Sequence, residues 1–127
     1  MKMLMTKQFA TWISKQKIPE NEFSKALKEL DAGSFEANLG TYLYKKRIRF
    51  KGKGKSSSGR TIICYKKEDR AIFIHGFVKN EKDNLSNKEL LAFKEFSKIL
   101  LALSLTEINI AIKNGDFIEV KLWENQL

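Results

Sequence analysis

Apolar residues recur along this chain with two different periods, and the change between them falls near residue 41. The first forty residues carry the helical spacing. Phe9, Trp12 and Ile13 share one face of a segment that Thr6 can cap and that is expected to run to about Lys17. Pro19 breaks that helix and can open the next at its first turn. In the stretch 20–31, Phe23, Ala26, Leu27 and Leu30 stand at i, i+3, i+4 and i+7, and Gly33 is a natural stop. Such a stripe is read first as core packing.

From Thr41 the alternation is of period two. In the stretch 42–50, Tyr42, Tyr44, Lys46, Ile48 and Phe50 fall on one face, and Leu43, Lys45, Arg47, Arg49 and Lys51 on the other. A Gly- and Ser-rich loop, 52–59, follows. The runs RTIICYKK (60–67) and RAIFIHGFVK (70–79) then read as a β-hairpin across a short Glu68–Asp69 turn. Strict alternation places Phe73, His75, Phe77 and Lys79 on one face of its second strand, and Ile72, Ile74 and Val78 on the other. The aliphatic face is the one expected to pack on helices, leaving His75 and Lys79 toward the surface.

Helical spacing returns at Ser86, which forms a capping-box pattern with Glu89 ahead of Leu90, Phe93, Ile99 and Leu100. Ser104 and Glu107 repeat the pattern, so a further helix is expected to about Lys113, stopped by Gly115. FIEVKL (117–122) reads as a short closing strand. Without an internal repeat, linker or low-complexity stretch, residues 1–127 are expected to form one domain.

Composition narrows the function classes. An apolar fraction of 43% is that of a globular chain, and a net charge of +9 favours an acidic partner. One cysteine, Cys64, cannot form an internal disulfide, and within TIICY it reads as a small buried apolar residue. One His and one Cys do not make a zinc site, and no carboxylates have calcium-loop spacing, so neither a metal nor a cofactor is expected. The N-terminus MKMLMTKQFATW lacks the apolar core of a signal peptide, and no apolar run approaches the roughly 18 residues of a membrane span. A cytoplasmic protein with no membrane partner is expected.

The charge is concentrated. KKRIRFKGKGKSSSGR (45–60) holds eight cations, and no Asp or Glu occurs between Glu36 and Glu68. A solvated surface ordinarily mixes both signs. A mobile solubilising loop is the plain interpretation of such a run. The alternation supports another, because it lines Lys45, Arg47, Arg49 and Lys51 into a cationic ladder on one side of a sheet, suited to tracking a phosphate backbone. The hairpin brings His75, Lys79 and Tyr65 near that ladder. This inventory suits metal-free RNA cleavage. The RNA supplies its own 2′-hydroxyl nucleophile, and the protein must supply a proton acceptor, a proton donor and cations for the transition-state charge. Lysines lowered by cationic neighbours and His75 can move protons, arginine can clamp phosphate, and Tyr65 or Phe77 can stack on a base. A core histidine between two phenylalanines and a half-buried sheet tyrosine are the competing interpretations of His75 and Tyr65.

At these residues the chain resembles the RelE/ParE-type toxins of bacterial type II toxin–antitoxin systems, and within them the RelE-like, HigB-like branch. The resemblance is carried by LGTYLYKKRI (39–48), by GKGKSSSGRTIICYKKEDRAIFIHGFVKNEKDNLSNKEL (52–90) and by the Leu-rich helix that follows. GFVKN (76–80) is its most specific part, and it extends over nearly the whole chain. It implies an α+β fold, with N-terminal helices packed on a curved, mainly antiparallel sheet, a C-terminal helix and a short closing strand. It implies an mRNA interferase acting on ribosome-bound mRNA, and a cognate antitoxin, often a helix-turn-helix protein. Matched to the family's motifs, Lys53, Lys55 and Arg60 flank the Gly-rich loop where its basic residues sit, Arg47 and Arg49 fall on the preceding strand, and Lys79 belongs to GFVKN. Two positions depart from the pattern. GKSSSG replaces a shorter Gly-Gly loop, which alters its reach, and His75 stands where Tyr is frequent, which leaves the acid and base roles open. Because gyrase-poisoning ParE proteins share the fold, a gyrase inhibitor and a non-catalytic nucleic-acid-binding module remain the alternatives.

Overall fold

The computed structural model of the chain describes residues 1–16, 18, 21–49, 59–78 and 85–120. Within them the chain runs β1 (Lys2–Thr6), α1 (Lys7–Ser14), α2 (Asn21–Asp31), β2 (Ala37–Gly40), β3 (Leu43–Ile48), β4 (Gly59–Lys66), β5 (Arg70–Val78), α3 (Asn87–Ala102), α4 (Leu105–Asn114) and β6 (Phe117–Glu119). The strands form one sheet in the order β2-β3-β4-β5-β1-β6. β1 runs parallel to β5, and the other neighbours are antiparallel. The expected α+β, mainly antiparallel fold is the one observed.

Local chemistry sets the helix ends. Thr6 Oγ1 accepts a hydrogen bond from the Phe9 amide at 3.1 Å. Ser86 with Glu89, and Ser104 with Glu107, close both halves of their capping boxes. Gly115 ends α4 in the left-handed region, φ 84°, where a side chain would be strained. α1 stops at Ser14, earlier than expected, because Ser14 Oγ donates to the Thr11 carbonyl and the Lys15 and Gln16 amides turn to carbonyls only three residues back.

Two strands escaped the pattern reading. β1 (KMLMT) carries three successive apolar residues at its centre because it is buried on both faces. Met3 and Met5 enter one core and Leu4 the other, so no alternation marks it. β2 is a four-residue edge strand containing Asn and Gly, residues with poor strand propensity.

Helices cover both faces of the sheet. Phe9 and Phe23, from α1 and α2, pack against Met3, Ile63 and Phe73, with the Phe9–Phe73 and Phe23–Phe73 ring centroids 5.3 and 5.6 Å apart. On the other face, Leu100 of α3 and Ile108 of α4 pack against Leu4, Ile62, Cys64 and Ile72. Each fully buried side chain of this size contributes about 1.5–3 kcal/mol. Arg70 ties the two ends of this layer together. It is only 7% exposed, and its Nη1 donates to the carbonyls of Leu100 (2.8 Å) and Leu103 (2.7 Å) where α3 ends.

A β-bulge overturns the expected faces of the hairpin. Ile62 pairs with His75 but Ile63 pairs with Phe73, so Ile74 is an extra residue on β5. The phase therefore changes at Ile74. Phe73 points into the α1–α2 core, while His75 and Phe77 lie on the α3 face. Gly76 turns to the α1 side, where an added Cβ would overlap the indole of Trp12. His75 is not presented from an uncovered face: its ring lies 4.9 Å from that of Phe93 on α3.

Candidate nucleic-acid interface

The register of three adjacent strands assembles the basic face. Directly opposed residues of a ladder project to the same side. Lys45 on β3 opposes Ile62 on β4, which opposes His75 on β5. Two residues along, Arg47 opposes Arg60, which opposes Phe77. Two rows result on the α3 face, Lys45–Ile62–His75 and Arg47–Arg60–Phe77. The alternation of β3 thus places Lys45 and Arg47 together as expected, and β4 adds Arg60 beside them. Arg47 is exposed and Lys45 half-buried, and Arg49 is exposed just past the end of β3. Lys51, Lys53, Lys55 and Lys79 lie outside the described residues, as do Pro19 and most of the Gly-rich loop.

Carboxylates that precede the basic run in sequence are seated against it. Arg60 is 2% exposed, and its Nε lies 2.5 Å from Oε2 of Glu36. The Glu36 amide donates to the Lys45 carbonyl at 2.9 Å, which fixes the segment entering β2 beside β3. On the α2 side, Lys46 Nζ lies 3.0 Å from Glu29 Oε1. Glu22, Lys25, Glu29, Glu36, Lys46, Arg47 and Arg49 line a cavity of about 290 Å³ between α2 and this edge of the sheet. Neither Glu29 nor Glu36 stands out in the sequence. The available signal is their position, since with Asp31 they are the last three acidic residues before a run of eight cations.

Tyr65 does not join this group. It stands five residues along β4 from Arg60 and in the opposite phase, within the α1–α2 core. Its hydroxyl donates to the Asp31 carboxylate. Burial, and then that hydrogen bond, hold its pKa well above the ordinary tyrosine value, so it stays protonated at neutral pH. The expectation that Tyr65 lines the basic cleft is corrected: the tyrosine fastens α2 to the sheet. Cys64 is fully buried, with burial raising its pKa and Ser97 Oγ donating to its Sγ at 3.2 Å, as expected of a core thiol. Among the described residues no three His, Cys, Asp or Glu side chains gather into a metal site, and no helix is long and apolar enough to cross a membrane.

A sheet face that sets an exposed Arg47 opposite a buried Arg60, one row from a histidine, offers cations for anionic phosphates and a group that can move a proton near them. A family model described as the RelE toxin of the RelE/RelB toxin–antitoxin system matches residues 1–120, which include every strand and helix above. The chain belongs to this RelE toxin family. No curated protein matches it. Membership makes the chain a toxin whose counterpart is an antitoxin. The toxin's basic rows and the helices packed under them all fall within the matched residues.

Proposed function

We propose that this toxin is an mRNA interferase, an endoribonuclease that cuts mRNA on the ribosome in the cytoplasm and so arrests translation and growth. The observation that carries the reading is the Arg47–Arg60 pair with His75 one row away on the same face. Like charges placed directly opposite in a sheet cost up to about 1 kcal/mol. Glu36 offsets that cost in the free toxin, and an RNA phosphate that takes its place meets two cations at once and, at the scissile bond, gains transition-state stabilisation.

In this reading the 2′-hydroxyl attacks the adjacent phosphorus. The 5′-oxygen leaves with a proton, and the upstream fragment ends in a 2′,3′-cyclic phosphate. Arg60 bears the charge that builds on the phosphoryl oxygens, and such a preorganised donor is worth on the order of a hundredfold in rate. His75 accepts or donates one proton, with the other assigned to Lys53, Lys55 or Lys79 through the family resemblance. Lys45, Arg47, Arg49 and Lys51 hold flanking phosphates. The antitoxin, a helix-turn-helix protein in this account, covers part of the Arg47–Arg60 surface or the helices beside it, and the HigB-like motifs favour that pairing.

Purified toxin added to ribosomes programmed with labelled mRNA tests the reading. A cut within the message leaving a cyclic-phosphate end, lost in a folded Arg60→Gln protein, is expected. Uncut message, or full cleavage by that variant, refutes it. DNA damage with intact mRNA in cells indicates gyrase inhibition instead, and salt-dependent RNA binding without cleavage indicates a non-catalytic module.

A further inference from the structure

Arg60 is placed to stabilise a phosphate, yet in the free toxin it is 2% exposed and closed by a carboxylate. The Glu36 side chain is 36% exposed, and its Oε2 holds Arg60 Nε. The pair presents almost no net charge to an arriving anion. A phosphate that engages this guanidinium must first displace Glu36.

We propose that Glu36 is a built-in competitor for the phosphate site, and that it sets how readily Arg60 is given up to RNA. The inference rests on the reading of Arg60 as a phosphate-binding group. Two features of the geometry support it. Arg60 lies opposite Arg47, so without a counter-ion the folded protein would bury one guanidinium beside another, a strongly unfavourable arrangement. Glu36 relieves that in the free toxin. The exposed Arg47 and Arg49 flank the same cavity that Glu36 lines, so a chain of phosphates held by them arrives beside the pair. A polyanion gripped at several points gains enough local concentration to replace the carboxylate, and a lone phosphate does not. Glu36 thereby favours RNA over small phosphorylated metabolites.

The exchange has an ionic signature. When a phosphate pairs with a solvated cation it releases its condensed counterion. When it displaces Glu36, the freed carboxylate stays beside the RNA and its negative charge offsets the one that Arg60 neutralises, so the net counterion release from that contact is small. Glu36→Gln removes the competitor and keeps the shape and a hydrogen-bond acceptor.

The test is binding of a short single-stranded 2′-O-methyl RNA, which lacks the nucleophile, measured by fluorescence anisotropy across a range of salt. Wild type, Glu36→Gln, Arg60→Gln and the double variant are compared after circular dichroism shows each to be folded. Glu36→Gln is expected to bind roughly three- to tenfold more tightly at low salt. Its logarithmic salt slope should be steeper by about 0.7. In the Arg60→Gln background the gain should shrink to the small through-space effect of one removed charge. Equal gains in the two backgrounds, an unchanged slope, or a Glu36→Gln protein that binds more weakly would overturn the competitor role. Wild-type binding with additive variants removes Glu36 alone, whereas no salt-dependent binding by wild type removes the RNA reading together with it.

Discussion

Replacing Arg70 by Met should destabilise the toxin by about 3 kcal/mol. Methionine keeps the unbranched stem and its packing while deleting the guanidinium. Two charge-assisted hydrogen bonds disappear, to the Leu100 and Leu103 carbonyls at 2.8 and 2.7 Å. Such bonds contribute about 1.5–3 kcal/mol each, and of the two bonds lost at the end of α3 the one to Leu100 is buried and the one to Leu103 partly so. Part of the loss is returned because the variant no longer desolvates a cation. The contact with Asp69 is long, 3.4 Å, to a carboxylate 42% exposed, and adds little. With about 2.1 cal/mol/K per residue of unfolding entropy, 3 kcal/mol in 127 residues lowers the midpoint by about 11 °C. Urea unfolding gives the free energy directly. Amide exchange should show the last turn of α3 and all of α4 opening first, since these are what Arg70 tethers to β5. A loss under about 1 kcal/mol, or faster exchange confined to α1 and α2, would refute this account of how the second helical layer is held.

Gly76→Ala should cost about 1–3 kcal/mol in thermal or urea unfolding, because its Cβ would meet the Trp12 ring, 2.7 Å from Cη2, and Trp12→Leu should recover part of that loss. Tyr65→Phe should leave cleavage unchanged and lower stability by about 1 kcal/mol at neutral pH. Because the folded tyrosine titrates above its ordinary value of 10.0, its contribution is complete below that pH and is lost as pH rises through the alkaline range. Wild type should therefore lose stability with rising alkalinity more steeply than the phenylalanine variant, as urea midpoints at several pH values would reveal. Arg47→Ala should weaken RNA binding alike for unrelated sequences and reduce the salt slope by about 0.7, as read by anisotropy titration.

The sequence made visible what local chemistry decides. Thr6, Ser86, Ser104 and Gly115 each mark a helix end through bonds to residues within a turn, and all four act as read. The alternation of β3 survives because its register against β4 is unbroken from Leu43 to Ile48, so period two alone puts Lys45 and Arg47 on the same side. β1 was hidden because burial on both faces removes alternation, leaving KMLMT with no period. The bulge at Ile74 has no marker in IFIHGF, and one extra residue was enough to move His75 and Phe77 to the other side of the sheet. The same limit explains Glu36, Glu29 and Asp31. Their partners are Arg60, Lys46 and Tyr65, 24, 17 and 34 positions away along the numbering, and only the folded register brings them together.

If the face carrying Arg47, Arg60 and His75 cuts mRNA, the cuts will appear as new mRNA 5′ ends when those ends are mapped after induced expression. Wild-type toxin should produce new ends inside translated reading frames within the period of growth arrest, and a folded Arg60→Gln protein should produce neither. Growth arrest by wild type with no new mRNA ends, or undiminished cutting by Arg60→Gln, would contradict it.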